Sequence, residues 1–372
     1  RSGFARFVLI LEKNILLIFM GMSSKIIPAM LGGEIMSDIT RLAVDAMGGD
    51  NAPGEIIKGA VDAVNKRKDL KVLLVGRQAL IENELKACTY EKEQIEVFNA
   101  EEVIETAEPP VNAIRKKKDS SIVVAMNMVK RGDADAFVSA GSTGAVLVGG
   151  QVLVGRIKGV ERPPLAPLIP TEKGASLLID CGANVDARPS HLVQFAKMGS
   201  IYMEQVVGIK NPRVAIVNNG AEEEKGNALV KETFPLLKEE KSIHFIGSIE
   251  AREIPKGMAD VIVCEAFVGN VILKLYEGVG SVLIKKMKQS MMTSLKTKIG
   301  ALLIKPALKE TLKGFDLSEH GGAPLLGLNG LVVKTHGSSK AKEVSNSIIQ
   351  CIAFKQQGIN EKIRGCIQKE EL

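Results

Sequence analysis

Residues 136–148 read Ala136-Phe137-Val138-Ser139-Ala140-Gly141-Ser142-Thr143-Gly144-Ala145-Val146-Leu147-Val148. An apolar run suited to a buried strand passes through a turn of small residues into a second apolar run that continues as a helix. A strand-to-helix turn leaves backbone N–H groups bare, and the helix dipole favours an anion at that end. Gly141 and Gly144 let a ligand approach the backbone closely, while Ser139, Ser142 and Thr143 add hydroxyl donors. The stretch is either a phosphate cradle or an ordinary turn. It matches neither G-x-x-x-x-G-K-[ST] nor G-x-G-x-x-G, so nucleotide binding does not follow from it.

The same alternation extends in both directions. Strands are expected at 42–46, 72–76 and 95–99, with helices near 55–66, 79–86 and 121–130. Beyond Pro163-Pro164, strands are expected at 176–180, 214–218, 244–249 and 261–265, with helices near 191–206 and 228–238. Repeated strand-then-helix units predict an α/β protein of three layers, αβα, around a mostly parallel sheet. Ligands in such sheets gather at the carboxyl ends of the strands. The polar and glycine residues stand at those ends. They are Asp45, Gly48, Gly49 and Asp50, then 139–144, then Asp180, Asn184 and Asp186, then Asn218, Lys225 and Gly226, and finally Gly269 and Asn270. Five loops from separate parts of the chain are expected to face one cleft.

Composition bounds what that cleft can serve. With 372 residues, 45% hydrophobic and 25% charged, the chain can bury a large core. No Trp and only 3 Tyr argue against base-stacking platforms, and no nucleic-acid partner is expected. The net charge of +6 suits acidic substrates or an anionic membrane, or simply a solvated exterior. The 5 cysteines are scattered with no C-x-x-C, so neither a zinc site nor a disulfide framework is indicated, and a reducing compartment is the simpler reading. The 4 histidines include no H-x-x-x-H pair, and there is no G-x-S-x-G elbow, which disfavours a zinc hydrolase and a serine hydrolase. Asp180, Asn184 and Asp186 could seat magnesium but read better as a structural turn, and no metal or cofactor is expected. His336, at a strand end before Gly337-Ser338-Ser339, is a site candidate of low weight.

Residues 1–35 are expected to be an appended or mis-started leader outside the fold, with a weak interfacial anchor as the alternative. The folded unit is then 36–372. A helical hairpin is expected over about 271–315. It consists of one long helix to about 299, an apolar turn at 300–306 and a second helix at 307–313. Leu302, Leu303 and Ile304 form its tip, flanked by Lys296, Lys298, Lys305, Lys309 and Lys313. That pattern suits an anionic membrane interface or burial against a partner subunit.

Several segments together match a known pattern. They are AVDAMGGDNAP (43–53), SAGSTGA (139–145), DCGANVDARPSHLVQFAKMG (180–199), EEEKGN (222–227), ADVIVCEAFVGNVILK (259–274), HGGAPLLGLNG (320–330) and HGSS (336–339). In this order the chain resembles the phosphate acyltransferases of bacterial phospholipid synthesis, the PlsX family. It departs from the family where Ser142 and Ser248 replace Asn, and where Glu265 to Asn270 replaces Asp-Gly-Phe-Thr-Gly-Asn. The resemblance implies transfer of a long-chain fatty acyl group from acyl carrier protein to inorganic phosphate. It also implies a homodimer, and a fold similar to phosphotransacetylases and the isocitrate/isopropylmalate dehydrogenase group. It further implies a cytoplasmic enzyme held loosely at the inner face of the cell membrane near the downstream acyltransferase. The expected roles place phosphate on Ser139, Gly141, Ser142, Thr143, Gly144 and Lys225. Asn270 would be an oxyanion donor and His336 a reserve proton handler. The basic run 115–118 is a candidate dock for the acidic carrier protein, or a solvated face. Lys225→Ala is expected to cut turnover with the fold intact. A phosphotransacetylase acting on short-chain acyl coenzyme A and a non-catalytic membrane scaffold are the competing readings.

Overall fold

The computed structural model describes residues 39–314 and 321–368. The expected leader and His320 lie outside the described residues, as do the side chains of Lys309 and Lys313. In chain order the elements begin with β1 (Thr40–Asp45), α1 (Gly54–Lys66), β2 (Leu70–Gly76), α2 (Gln78–Leu85) and β3 (Ile95–Asn99). Then come α3 (Pro110–Lys116), α4 (Ser121–Arg131), β4 (Ala136–Ser139), α5 (Thr143–Gly149), β5 (Leu168–Thr171) and β6 (Gly174–Ile179). They continue with α6 (Pro189–Tyr202), β7 (Arg213–Val217), α7 (Ala228–Glu239), β8 (His244–Ile249) and β9 (Val261–Val263). The chain ends with α8 (Ala266–Met291), α9 (Leu295–Gly314), β10 (Ala323–Pro324), β11 (Leu331–Lys334), α10 (Ala341–Gln356) and α11 (Ile359–Gln368).

The strands form two sheets, ordered β10-β11-β4-β1-β2-β3 and β5-β6-β9-β7-β8. Every pairing is parallel except β10 with β11 and β5 with β6. The sheets meet at their antiparallel edges, where Ala166 N donates to Pro324 O at 3.0 Å and Leu326 N to Pro164 O at 3.1 Å. Pro163, Pro164, Pro167 and Pro170 crowd this seam, which is why β5 reads as loop in the sequence.

Side chains alternate across both sheets as the pleat requires. Leu42, Val44, Val138, Leu177, Ile179, Val214, Ile216, Val261 and Val263 share one core that runs under both sheets. Ala43, Phe137 and Val332 face a second core, and Leu178, Ala215 and Ile262 a third. The shared layer is closed by α6 and α10, where Tyr202 meets Phe354 edge-on at 5.4 Å and accepts a hydrogen bond from Gln350 Nε2 at 3.2 Å.

The hairpin differs from expectation at both ends. Its first helix begins at Ala266 rather than 271, because the Glu265 carboxylate accepts from Phe267 N at 2.5 Å and Val268 N at 3.0 Å. The turn falls at residues 292–294, not 300–306. Ser294 Oγ accepts from Thr297 N at 3.2 Å while Thr297 Oγ1 accepts from Ser294 N at 3.0 Å, a reciprocal cap that starts α9 there. Leu302, Leu303 and Ile304 therefore stand on the flank of α9, exposed, and not at a loop tip.

Candidate active site

A cleft of about 240 Å³ opens along the seam between the sheets. The strand order explains what reaches it. The loops after β4, β11 and β6 lie beside the seam, and α8 enters directly from β9. Thr143 of α5, Asn270, Lys274 and Glu277 of α8, and Lys334 and His336 at the end of β11 all line it. Asn270, Leu273, Lys274 and Glu277 recur at helical spacing, so one stripe of α8 faces the cleft.

The loop after β1 braces this wall from behind. Asp50 N donates to Gly337 O at 2.8 Å, and Asn51 Nδ2 to Ser338 O at 2.9 Å. Gly49 takes φ +99°, and an added Cβ there would lie 2.9 Å from Gly337 O. Gly48 packs on Gly141, where an added Cβ would come within 2.7 Å of the Gly141 nitrogen. The buried Asp45 accepts from Ser139 Oγ at 2.7 Å and from Met47 N at 3.1 Å. Ser139 Oγ in turn accepts from Gly141 N at 2.9 Å. Burial pushes the Asp45 carboxyl above the usual carboxylate range, against hydrogen bonds that favour its ionised form.

The other expected residues take structural posts. Ser142 caps α5 by accepting from Ala145 N at 3.4 Å, and Gly144 packs against Pro110. Asp180 is saturated by Leu165 N, Ala183 N, Asn184 N and Asn184 Nδ2 at 3.0, 3.1, 2.8 and 2.7 Å. It is a turn-holding carboxylate, with its pKa raised by burial. Asn184 also donates to Pro163 O at 3.0 Å, while Asp186 is exposed. Gly269 lets α8 pack against the carbonyl of Asp180. Asn218 donates to Ser248 Oγ at 3.0 Å and to Lys225 O at 3.3 Å, tying the loop after β7 to β8. Gly226 closes against Asn218 in that loop. Lys225 is exposed on the same loop and does not line the seam cleft, because β9 stands between β6 and β7.

Lys274, Glu277 and Lys334 are the site residues that sequence reasoning missed. Lys274 Nζ lies 3.3 Å from His336 Nε2 and 2.8 Å from Glu277 Oε2. Cys181 also lines the cleft, but burial together with neighbouring Cys264 and Asp180 raises its thiol pKa well above normal. A protonated, buried thiol is a poor nucleophile. The site offers cations, an amide and an imidazole, which suit holding an anion and stabilising an oxyanion, alongside the carboxylates of Glu277 and Glu343.

The architecture is similar to that of phosphotransacetylases of known structure. EutD phosphotransacetylase from Staphylococcus aureus matches with a TM-score of 0.54 over 85% of this chain and 95% of its own, at 18% identity. A phosphotransacetylase from Streptococcus pyogenes matches with a TM-score of 0.54 over 92% and 99%, at 17% identity. At such identities the likeness shows the fold alone. Sequence relatives carry the assignment further. The phosphate acyltransferase of Clostridium novyi is 48% identical over 89% of this chain and 99% of its own length. That of Alkaliphilus oremlandii is 52% identical over 87% and 96%. Residues 40–362 match the model of the fatty acid synthesis protein family, and the chain belongs to that family, the PlsX-type phosphate acyltransferases. It is an acyltransferase.

Proposed function

We propose that the protein moves a long-chain fatty acyl group from acyl carrier protein to inorganic phosphate, releasing acyl phosphate and the free carrier thiol. The observation that carries this reading is the seam cleft, where Thr143, Asn270 and His336 of the expected set meet two further cations from separate elements. A phosphate oxygen would attack the thioester carbonyl directly. The departing thiolate, with an intrinsic pKa of about 8.5, needs little acid assistance. The wall thus has to hold the anion in line and stabilise the tetrahedral oxyanion, for which the Asn270 carboxamide is the proposed donor. His336 is the proposed proton handler. Lys225 enters as a residue of the neighbouring loop, and near-normal turnover in Lys225→Ala would remove it.

Exposed apolar residues on α8 and α9, among them Leu275, Val279, Val282, Leu295 and Ile299, support pairing with a second copy. The lysines around Leu302 to Ile304 support loose contact with the inner face of an anionic membrane, beside the acyltransferase that would consume the product. Arg115, Lys116 and Lys118 are exposed at the end of α3, beside the Pro110–Gly144 contact, and suit an acidic carrier. The deciding experiment follows thiol release with and without phosphate, from long-chain acyl carrier protein and from acetyl coenzyme A. Phosphate-dependent release from the carrier supports the reading. Preference for acetyl coenzyme A would make the protein a short-chain phosphotransacetylase, and no phosphate-dependent release would leave a scaffold.

A further inference from the structure

Lys334 ends β11, a strand otherwise made of Leu331, Val332 and Val333, and it pairs in register with Ser139 of β4. A charged residue is unexpected at such a place, and only 7% of it is exposed. Its ammonium donates to the main-chain oxygens of Ala140, at 3.3 Å, and of Thr335. No described carboxylate lies within 4.0 Å of it. Asp45 and Asp50 are near enough to favour its charge, but neither is in contact with it, and the Asp45 carboxylate accepts its hydrogen bonds from Ser139 and Met47. Its direct partners are carbonyls, and no carboxylate touches it to form the ion pair that such burial normally requires.

The missing charge has a place to come from. Lys334 lines the seam cleft, and so does Lys274 on the opposite wall. The two ammonium groups interact unfavourably across that space, which disfavours the charge on Lys334. Like charges brought together at a cleft are stabilised by an anion that bridges them, a position for which Glu277, 2.8 Å from Lys274 Nζ, competes. A tetrahedral dianion suits the position better than a carboxylate, because it offers several oxygens to donors that converge from different elements.

We propose that Lys334 and Lys274 hold the inorganic phosphate, gripping it from the two walls of the seam. The proposal rests on reading the chain as a phosphate-consuming acyltransferase, and it assigns the anchoring of the nucleophile to two lysines outside the expected set. Phosphate chemistry could also reach the cleft as the phosphodiester of the donor's prosthetic arm, and the test separates these sources.

Inorganic phosphate is titrated calorimetrically into the full chain, without donor, for the wild type, Lys334→Met, Lys334→Arg and Lys274→Ala. Steady-state KM values are then measured for phosphate and for the acyl donor. Lys334→Met should weaken phosphate about tenfold or more in both measurements while leaving the donor KM unchanged. Lys334→Arg should recover part of the loss, and Lys274→Ala should weaken phosphate by about threefold to tenfold. Phosphate affinity within about twofold of wild type in a folded Lys334→Met overturns the proposal, as does a shift confined to the donor KM. Should Lys334→Met not fold, the half-exposed Lys274 decides, and unchanged phosphate affinity in Lys274→Ala overturns it. A wild type that binds phosphate through Lys334 but releases no thiol would sink the acyltransfer reading and leave this anchor standing. Phosphate-dependent turnover indifferent to both lysines would do the reverse.

Discussion

Lys274 Nζ on α8 lies 3.3 Å from Nε2 of His336 at the end of β11, so the long helix of one sheet touches the strand-end loop of the other. An ammonium can only donate, so Nε2 must be the unprotonated nitrogen and the ring proton must sit on Nδ1. There it faces Ser338 Oγ at 2.8 Å. The approach of Ser338 N to the same Nδ1 at 3.2 Å would need the opposite tautomer, and it yields because an amide can find solvent while the ammonium cannot reverse its role. Nitrogen-15 NMR of the ligand-free protein near neutral pH should therefore show His336 as the Nδ1–H tautomer. An Nε2–H signal would break the link between helix and loop.

Glu277 competes for the same lysine. Its carboxylate lies 2.8 Å from Lys274 Nζ and places a negative charge on the wall of a cleft proposed to take an anion. Glu277→Gln keeps an acceptor of the same shape and removes the repulsion. Its phosphate KM should fall by about twofold to fivefold, a modest gain because the pair is partly exposed. A rise in phosphate KM would mean that Glu277 is needed to position Lys274.

Lys334 ties function to stability with a definite sign. Burial lowers its pKa from 10.5 to about 8. Between those values the unfolded chain holds a proton that the folded chain has released, so this group's contribution to stability rises with pH across that window. Below pH 8 the full cost of holding the ion is present, about 3 kcal/mol for a difference of this size. In phosphate-free urea denaturation, Lys334→Met should thus compare best with the wild type near pH 7 and lose ground as pH climbs towards 10. A stability difference independent of pH would show that the amine carries no such penalty.

Gly269 tests packing rather than chemistry. An added Cβ would lie 1.8 Å from the carbonyl oxygen of Asp180, a backbone atom that cannot swing aside. Gly269→Ala should destabilise the protein by about 3 kcal/mol or prevent folding, as seen in thermal melts. Gly278→Ala, on the same helix with nothing within 4 Å of its added Cβ, should be neutral or gain about 0.5–1 kcal/mol. Equal behaviour of the two would refute a close approach at Gly269.

What the sequence made legible follows from the range of the forces involved. The β–α alternation is local, and β1 to β4 and β6 to β9 fall near their expected places because apolar runs and turn residues mark them within a few residues, whereas the proline-rich β5 is not marked so. Thr143, Asn270 and His336 were found the same way, as polar residues next to strand ends. Lys274 and Glu277 were not, because the cap at Glu265 starts α8 a turn and a half earlier than the apolar pattern suggests. With that start, Asn270, Lys274 and Glu277 fall on one face. Lys334 is a lysine at the end of an apolar strand, and no local pattern shows that the strand pairs with β4 and that the lysine is buried there. Lys225 follows β7 and Asn270 stands on α8 after β9, and the order of β6, β9 and β7, which no local pattern encodes, leaves Asn270 at the seam cleft and Lys225 away from it.

The flank of α9 carries the last expectation. Leu302 and Leu303 are 69% and 76% exposed, with Lys298 and Lys305 on either side, and neither leucine packs on the described core. Glutamate at both positions should leave the melting temperature and thiol release in solution unchanged. It should lower flotation with anionic vesicles, since apolar insertion and attraction of the neighbouring lysines are lost together. Flotation on neutral vesicles should be weak in both proteins, because the lysines then have no counter-charge. If flotation on anionic vesicles is unchanged while sedimentation shows a weakened dimer, the two leucines belong to contact with a second copy, and this flank no longer supports membrane contact.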